Sequence, residues 1–305
     1  MFFVPFLAAA IQIVHTGFEG ARLERVEPVT PTHFRAHLRG DVDQDGRNRQ
    51  ANWYYFRIDG ARGQEITVDL TNLPGEYNYH ANRGAVTKDT VPVWSEDNVH
   101  WQHFAATDFH DEPNPFLRLK LKPTRDRVWI AHVPPYTNEH LARLERDIRR
   151  SPHATIESAG RTPQGRAMPL WTFTDAATPA AASKRVVWLM FRQHAWETGS
   201  SWAGEGAVRF LISNDPEAAR IRRACIFKIF PMADPDGVAR GNVRFNAAGF
   251  DLNRNWDVDD AVKMPEIAAQ KRAILTWVDA GRRLDLFLSL HNTETSESRS
   301  PARRA

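Results

Sequence analysis

VVWLMFRQHAWETGSSWAGEGAVRF, residues 186–210, changes from one secondary-structure pattern to another partway along its length. Its first part is an apolar, β-branched run bounded by charged residues, which predicts a fully buried strand of a mixed or parallel sheet. The residues from 197 onward have helical spacing. Because ligands of open α/β sheets bind beyond the carboxyl ends of the strands, His194 and Glu197 lie where a functional site is expected.

A third residue is needed, since His-x-x-Glu pairs arise readily by chance among 12 histidines and 37 acidic residues. RLDLFLSLHNTE, residues 283–294, supplies it: this second buried-strand pattern ends at His291. Two neutral imidazoles and one carboxylate form the ligand set of a catalytic zinc whose fourth position is open to water. We therefore predict one zinc ion per chain, bound by His194, Glu197 and His291.

The composition of the 305-residue chain is that of an ordinary globular protein large enough for two domains, with 42% hydrophobic and 25% charged residues. A formal charge of +3 reflects a slight excess of basic residues rather than a dense basic face, so nucleic acid is not an expected partner. Cys225 is the single cysteine, which excludes an internal disulfide and a multi-cysteine zinc cluster.

The N-terminal run MFFVPFLAAAIQIV is apolar but too short to span a bilayer, so stable membrane insertion is not expected. It lacks a positive region before the apolar residues, although small residues at its end are compatible with a remnant of a secretory signal. It is equally compatible with a first strand. The location of the protein therefore stays open, with the cytoplasm slightly favoured.

Short β-branched and aromatic segments, separated by Gly, Pro, Asn and Asp, occupy residues 11–133 and predict a β-sandwich. A different pattern begins after Pro134-Pro135, where residues 137–150 combine a candidate N-cap with helical spacing. Strands and helices then alternate. We predict an all-β sandwich domain over residues 1–133, followed by a mixed-sheet α/β domain over residues 134–305.

Two further motifs lie between Glu197 and His291: PMADPDGVARGNVR, residues 231–244, and DLNRNW, residues 251–256. In this order, and together with the histidine–glutamate pair and the strand-borne histidine, they resemble the zinc metallocarboxypeptidases. Within that family the chain is similar to the cytosolic carboxypeptidase subgroup and its bacterial relatives. The resemblance implies a mixed sheet with helices on both sides, and hydrolysis of the C-terminal peptide or isopeptide bond of a peptide or protein.

The resemblance also extends to IESAGRTPQGRAMPLWTFT, residues 156–174, and to the preceding β-sandwich, so it covers most of the chain. It implies that a zinc-bound water is the nucleophile and that Arg244 helps to hold the carbonyl oxygen as it becomes an oxyanion. Asn253 and Arg254 match the pair that binds the free carboxylate of the substrate, for which a planar guanidinium has suitable geometry.

The family's general-base glutamate and a substrate-facing tyrosine come from elements well after the last zinc ligand. Here Ala305 is 14 residues after His291, so we expect a C-terminally truncated carboxypeptidase domain. Glu294 and Glu297 follow that ligand in a polar tail and are not expected to act as the base, and we assign no general base.

Two alternatives to the carboxypeptidase remain. One is a zinc-binding pseudoenzyme or carboxylate-binding module, and the other is a zinc amidase or acylase that acts on N-acyl amino acids. The β-sandwich and the DPDGVARGN loop, residues 234–242, favour the carboxypeptidase over the amidase.

Overall fold

The computed structural model describes residues 10–111, 113–177 and 184–292, which form two compact units. The described part of the first unit covers residues 10–41 and 47–135, and that of the second covers residues 42–46 and 136–292. Compactness concerns packing rather than independent folding, so the domain boundary at residues 133/134 stays a prediction. The N-terminal residues 1–9 lie outside the described part of the chain, and with them most of the segment compared above with a secretory signal.

The first unit consists of two five-stranded sheets and a two-stranded ribbon. Within the described residues its strands are β1 (Gln12–Val14), β2 (Arg25–Thr30), β3 (His33–His37), β4 (Tyr55–Asp59), β5 (Ile66–Thr71), β6 (Gly75–Tyr77), β7 (His80–Asn82), β8 (Val93–Ser95), β9 (Gln102–His103), β10 (Asp108–His110), β11 (Phe116–Leu121) and β12 (Arg127–Ala131). The sheets have the strand orders β1-β4-β12-β8-β9 and β10-β11-β5-β3-β2, and β6 pairs with β7.

The alternation of buried and more exposed side chains along the strands explains how this unit packs. In β11, Leu117 and Leu119 are fully buried, whereas Lys120 is exposed. The inner faces of both sheets contribute to one core, which includes Ile58 of β4 and Val68 of β5. Each fully buried aliphatic side chain of this kind contributes about 1.5–3 kcal/mol. The prediction of an all-β sandwich ahead of the α/β domain is thereby confirmed.

The described elements of the second unit are α1 (Asn138–Ile148), β13 (Ala154–Arg161), β14 (Ala167–Phe173), β15 (Arg185–Phe191), α2 (Thr198–Leu211), α3 (Pro216–Ala224), β16 (Cys225–Phe230), α4 (Pro235–Arg240), α5 (Pro265–Asp279) and β17 (Leu286–Leu290). These strands form one mixed sheet of order β13-β14-β16-β15-β17. The pairs β13–β14 and β14–β16 are antiparallel, whereas β16–β15 and β15–β17 are parallel, which confirms the predicted mixed sheet.

Strand β15 is buried on both faces, as its apolar sequence predicts. Phe191 packs into a cluster with Leu144 of α1 and Val208 of α2. Trp188 packs into a second cluster that includes Trp277 of α5. Helices therefore cover both sides of the sheet. None of the helices in the described ranges is both long enough and apolar enough to cross a membrane.

The register of the three parallel strands determines where the functional loops meet. Phe191 of β15 is opposite Leu290 of β17, and Met190 is opposite Phe230 of β16. All three strands therefore end at the same edge of the sheet. The loops that follow them bring together residues 192–197, residues 231–256 and His291, although these segments are far apart in the sequence.

Candidate metal centre and substrate site

The chain turns sharply after β15 at Arg192, which has a positive φ of 58° and is only 1% exposed. A non-glycine residue in this region stores about 1–3 kcal/mol of strain and persists only when its surroundings hold it there. The Arg192 guanidinium donates to the carbonyl oxygens of Ala195 at 2.7 Å and Tyr136 at 2.9 Å, and to Ser201 Oγ at 3.2 Å. These bonds hold the turn that leads from the strand to His194.

Three predicted metal ligands converge at this edge. Glu197 is the N-cap residue of α2, and His291 directly follows β17. The Nδ1 atom of His194 is 2.8 Å from Glu197 Oε1, and the Nδ1 atom of His291 is 2.9 Å from Glu197 Oε2. One ligand atom from each residue lies within 4.8 Å of the others. His194 and Glu197 are only 2% and 3% exposed, so the cluster lies largely away from water.

Asp251 organises the second ring nitrogen of His194 and was assigned no role from the sequence. Its Oδ1 atom is 3.2 Å from His194 Nε2 and accepts the backbone N–H of Asn253 at 2.8 Å. Its Oδ2 atom accepts from Arg244 Nε at 2.5 Å. The only sequence signal for this residue is its position at the start of the DLNRNW motif.

The hydrogen bond between His194 Nε2 and Asp251 determines whether the other ring nitrogen, Nδ1, can act as a ligand. A neutral imidazole that donates Nε2–H to Asp251 presents a lone pair at Nδ1, and this lone pair faces an oxygen of Glu197. Two acceptors that face each other in a buried site require a proton or a cation between them. A carboxylate behind a ligating histidine is the arrangement that fixes its tautomer in zinc sites.

The pKa shifts of these groups show that the His194 imidazole and its two carboxylate partners stabilise one another's charged forms. Burial alone would lower the pKa of His194, but its hydrogen bonds to Asp251 and Glu197 outweigh burial and raise it. Burial would raise the pKa of Glu197, yet the hydrogen bonds from His194 and His291 lower it. Burial opposes the ionised form of Asp251 too, but the bond from His194 and the charge of Arg244 depress its pKa. The site therefore stabilises positive charge between these carboxylates.

The donor set fits zinc. Two imidazole nitrogens and a carboxylate are the three protein ligands of one group of catalytic zinc sites. Zinc bonds of about 2.0–2.1 Å in a tetrahedron place ligand atoms roughly 3.3 Å apart. The Nδ1–Oε separations of 2.8 and 2.9 Å would need to open by only about half an ångström, which side-chain rotation can supply.

The residues matched to substrate binding lie on the same loop as Asp251. Asn253 Nδ2 is 3.5 Å from His291 Nε2, which places this side chain beside the predicted metal ligands. Arg254 is exposed, and its guanidinium donates to the Asn253 carbonyl at 2.8 Å. Within the described ranges it forms no ion pair with Asp251 or Asp257, so its charge is available to solvent.

The DPDG segment, by contrast, has a structural role. Asp234 accepts from the Gly237 N–H at 2.8 Å and caps α4. A Cβ atom on Gly237 would lie 2.1 Å from Asp234 Oδ2, so any larger residue would displace this buried capping carboxylate. Asp236 is fully buried and accepts from Thr162 Oγ1 at 2.8 Å and Arg166 at 2.7 Å. These bonds fix the loop after β16 to the β13–β14 turn.

Comparison with known families matches both parts of the chain. Residues 143–298 match the zinc carboxypeptidase family, peptidase M14, and residues 14–133 match the cytosolic carboxypeptidase N-terminal domain. The resemblance inferred from the motifs is therefore confirmed.

Individual proteins agree with these matches. The chain is 29% identical over 255 residues to an uncharacterized protein of Zymomonas mobilis, covering 83% of this chain and 62% of that protein. It is 26% identical over 303 residues to cytosolic carboxypeptidase 3 of Bos taurus, covering 92% of this chain and 29% of that protein. It thus spans less than two thirds of either curated relative.

A crystal structure of a metallo-carboxypeptidase from Burkholderia cenocepacia superimposes with a TM-score of 0.80 at 30% identity, covering 93% of this chain and 71% of that chain. With a family match over half of its length and a fold shared with such a structure, the chain belongs to the zinc carboxypeptidases of the peptidase M14 family.

Proposed function

We propose that the protein is a zinc-dependent metallocarboxypeptidase that hydrolyses the C-terminal peptide or isopeptide bond of a peptide or protein, with one zinc per chain bound by His194, Glu197 and His291. The observation that carries this proposal is the convergence of two histidine Nδ1 atoms on the two oxygens of one buried glutamate. Family membership supports the metal and the reaction class. Neither alternative is favoured, because the matching families and the named relatives are carboxypeptidases.

When bound, zinc would polarise the scissile carbonyl and lower the pKa of a bound water, the proposed nucleophile, to about 7. The protein's own contribution begins with Asp251, which orients the His194 ring and keeps its proton on Nε2. Asp251 also tethers Arg244 through Nε. We assign to Arg244 the stabilisation of the carbonyl oxygen as negative charge develops there. A cation held in place before the reaction costs no reorganisation at that moment.

Substrate selection is assigned to Asn253 and Arg254. An exposed guanidinium with five donors can bind a terminal carboxylate in a bidentate manner, and an adjacent amide can donate a further bond. Asn253 lies beside His291 and Arg254 donates to the Asn253 carbonyl, which supports a carboxylate site close to the proposed metal. Recognition of a free C-terminus is the property that distinguishes a carboxypeptidase from an endopeptidase.

The general base stays unassigned, and Glu294 and Glu297 lie outside the described residues. A positioned base contributes typically 10²–10⁴-fold to such a reaction, so zinc binding and turnover are tested separately. A cytoplasmic location is proposed from the names of the cytosolic relatives.

The metal is tested by zinc analysis of the full chain after dialysis. His194→Ala, Glu197→Ala and His291→Ala should each lose the ion, because only three protein ligands are proposed. His100→Ala serves as the matched control, since His100 is exposed in the first unit and partners Asp97. Retention of zinc by all three site variants would overturn the proposed centre.

Substrate class is tested by binding and hydrolysis of one peptide in free and C-terminally amidated forms. The parent should prefer the free form, and Arg254→Ala should abolish that preference. Arg223→Ala is the control, because this exposed arginine lies in α3, at the opposite end of β16 from the site. Equal binding of both peptides by the parent, or faster hydrolysis of an N-acyl amino acid than of the peptide, would contradict the proposal.

A further inference from the structure

The second ring nitrogen of His291 has its own set of partners. While Nδ1 faces Glu197, Nε2 lies 3.0 Å from the Oγ atom of Ser289, which is in β17 two residues before His291. An imidazole can give Nδ1 to a metal only when its proton resides on Nε2, and the hydrogen bond made by the non-ligating nitrogen decides this. The question is therefore whether Ser289 accepts a proton from His291 or donates one to it.

Gln193, the buried residue that precedes His194 in the sequence, determines the direction of this hydrogen bond. Its Nε2 atom donates to the Leu252 carbonyl at 2.6 Å, which fixes the orientation of the amide because a second oxygen could not face that carbonyl. The amide oxygen therefore points the other way, and Ser289 Oγ lies 3.3 Å from it. An amide oxygen only accepts, so the Ser289 hydroxyl donates its single proton to Gln193. The lone pairs of Ser289 are then left to face His291 Nε2.

We propose that Gln193 and Ser289 are positioning residues that hold the His291 proton on Nε2 and so keep Nδ1 available as a metal ligand. The chain of hydrogen bonds runs from His291 to Ser289, then to the Gln193 oxygen, and from the Gln193 amide to the Leu252 carbonyl. It performs for His291 the task that Asp251 performs for His194, with neutral groups in place of a carboxylate. This inference rests on the zinc site proposed above.

We call this chain of hydrogen bonds, from His291 through Ser289 and Gln193 to the Leu252 carbonyl, the relay. Two other contacts compete with it. The Met190 sulfur lies 3.8 Å from Ser289 Oγ, but a thioether is a weaker acceptor than an amide oxygen. Asn253 Nδ2 lies 3.5 Å from His291 Nε2, and a donor at this position would favour the opposite tautomer. Ser289 is closer by half an ångström, and at 3.5 Å a hydrogen bond has lost most of its strength. The relay therefore determines which tautomer the neutral His291 ring adopts.

Zinc affinity, measured by competition with a chelator, tests the relay without reference to turnover. Ser289→Ala should weaken zinc binding by about 10–100-fold, the usual effect of removing a partner of a ligating histidine. Ser289→Thr retains the hydroxyl on a strand that accommodates β-branched residues, and should bind zinc nearly as tightly as the parent. Ser213→Ala is the matched control, because its hydroxyl donates only to Phe210 at the end of α2. Gln193→Met, of similar size but without the acceptor oxygen, should weaken binding in the same direction.

A second readout is the imidazole N–H of His291 in ¹⁵N-histidine-labelled, zinc-loaded protein. In the parent this N–H should be at Nε2 and exchange slowly with solvent, whereas in Ser289→Ala it should exchange faster, which a purely structural role for Ser289 would not produce. Parent-like zinc affinity in Ser289→Ala, or a Ser289→Thr variant as weak as Ser289→Ala, would overturn the relay while leaving the zinc site standing. Failure of the parent to bind zinc would instead overturn the proposed function, and the relay with it.

Discussion

Replacing Arg192 with glycine should destabilise the protein less than replacing it with alanine. At φ = 58° a non-glycine residue pays about 1–2 kcal/mol for the left-handed conformation, whereas glycine adopts it freely. Glycine loses about 0.5–1 kcal/mol more backbone entropy on folding than alanine does. The difference between these two terms leaves Arg192→Gly more stable than Arg192→Ala by about 0.5–1 kcal/mol.

Both variants should be far less stable than the parent. The guanidinium bonds to the Ala195 and Tyr136 carbonyl oxygens are short, and a hydrogen bond to a charged group contributes about 1.5–3 kcal/mol. Losing the pair should lower the free energy of unfolding by at least about 3 kcal/mol, whichever residue replaces the arginine. The glycine–alanine comparison removes this shared loss, because the two variants differ only by a Cβ atom.

The assay is urea unfolding followed by tryptophan fluorescence, with the slope against urea checked for constancy across the variants. Ala142→Gly is the control, since Ala142 is exposed within α1 and has ordinary helical geometry. There, glycine should be less stable than alanine by about 1 kcal/mol. An Arg192→Gly variant that is less stable than Arg192→Ala would refute the positive φ and the strain assigned to this turn.

Three further predictions concern other parts of the molecule. Burial lowers the pKa of His132 to about 4, below its unfolded value of about 6.5, so the unfolded state binds a proton first. The free energy of unfolding should therefore fall as the pH drops from about 6.5 towards 4, by about 3 kcal/mol in total, and denaturant titrations of His132→Asn should lack this component. Asp251→Asn should weaken zinc binding by about 10–100-fold in chelator competition, and an unchanged affinity would show that Asp251 does not orient His194. Gly237→Ala should lower the free energy of unfolding by about 1–3 kcal/mol, because its Cβ would collide with the buried Asp234 carboxylate, and a neutral result would count against that packing. Gly206→Ala, with open space around its Cβ in α2, should instead be stabilising by about 0.5–1 kcal/mol.

The fold and the location of the site could be predicted because they depend on local patterns. The apolar runs that become β15 and β17 predict two strands of the sheet, but only β15 is buried: the prediction of a buried strand is wrong for β17, whose Leu286, Phe287 and Leu288 are exposed. Because β15 and β17 pair in parallel, their carboxyl ends meet at one edge of the sheet. His194, Glu197 and His291 could thus be placed at one edge of the sheet from the sequence. Their roles as zinc ligands stay a prediction.

The supporting residues could not be predicted in the same way, because their roles depend on contacts between distant segments. Asp251 orients His194 only because its loop folds back over the end of β15. Neither the positive φ nor the burial of Arg192 could be predicted from its residue type, because an arginine in a polar turn is usually a surface residue. The roles proposed for Gln193 and Ser289 could not be predicted, because they depend on the Leu252 backbone carbonyl, which fixes the orientation of the Gln193 amide.

The parallel pairing of β15 with β17 also has a kinetic consequence. His194 and Glu197 are close together in the chain, but His291 joins them only after β17, one of the two edge strands of the described sheet, has docked through a contact of high sequence separation. Such contacts form slowly, because the intervening chain must close a long loop before any interaction compensates for the lost entropy. Binding of a metal ion at this edge would therefore report the docking of β17 onto β15 during refolding. The same ion would link the carboxyl ends of β15 and β17 and so slow the separation of these two strands during unfolding.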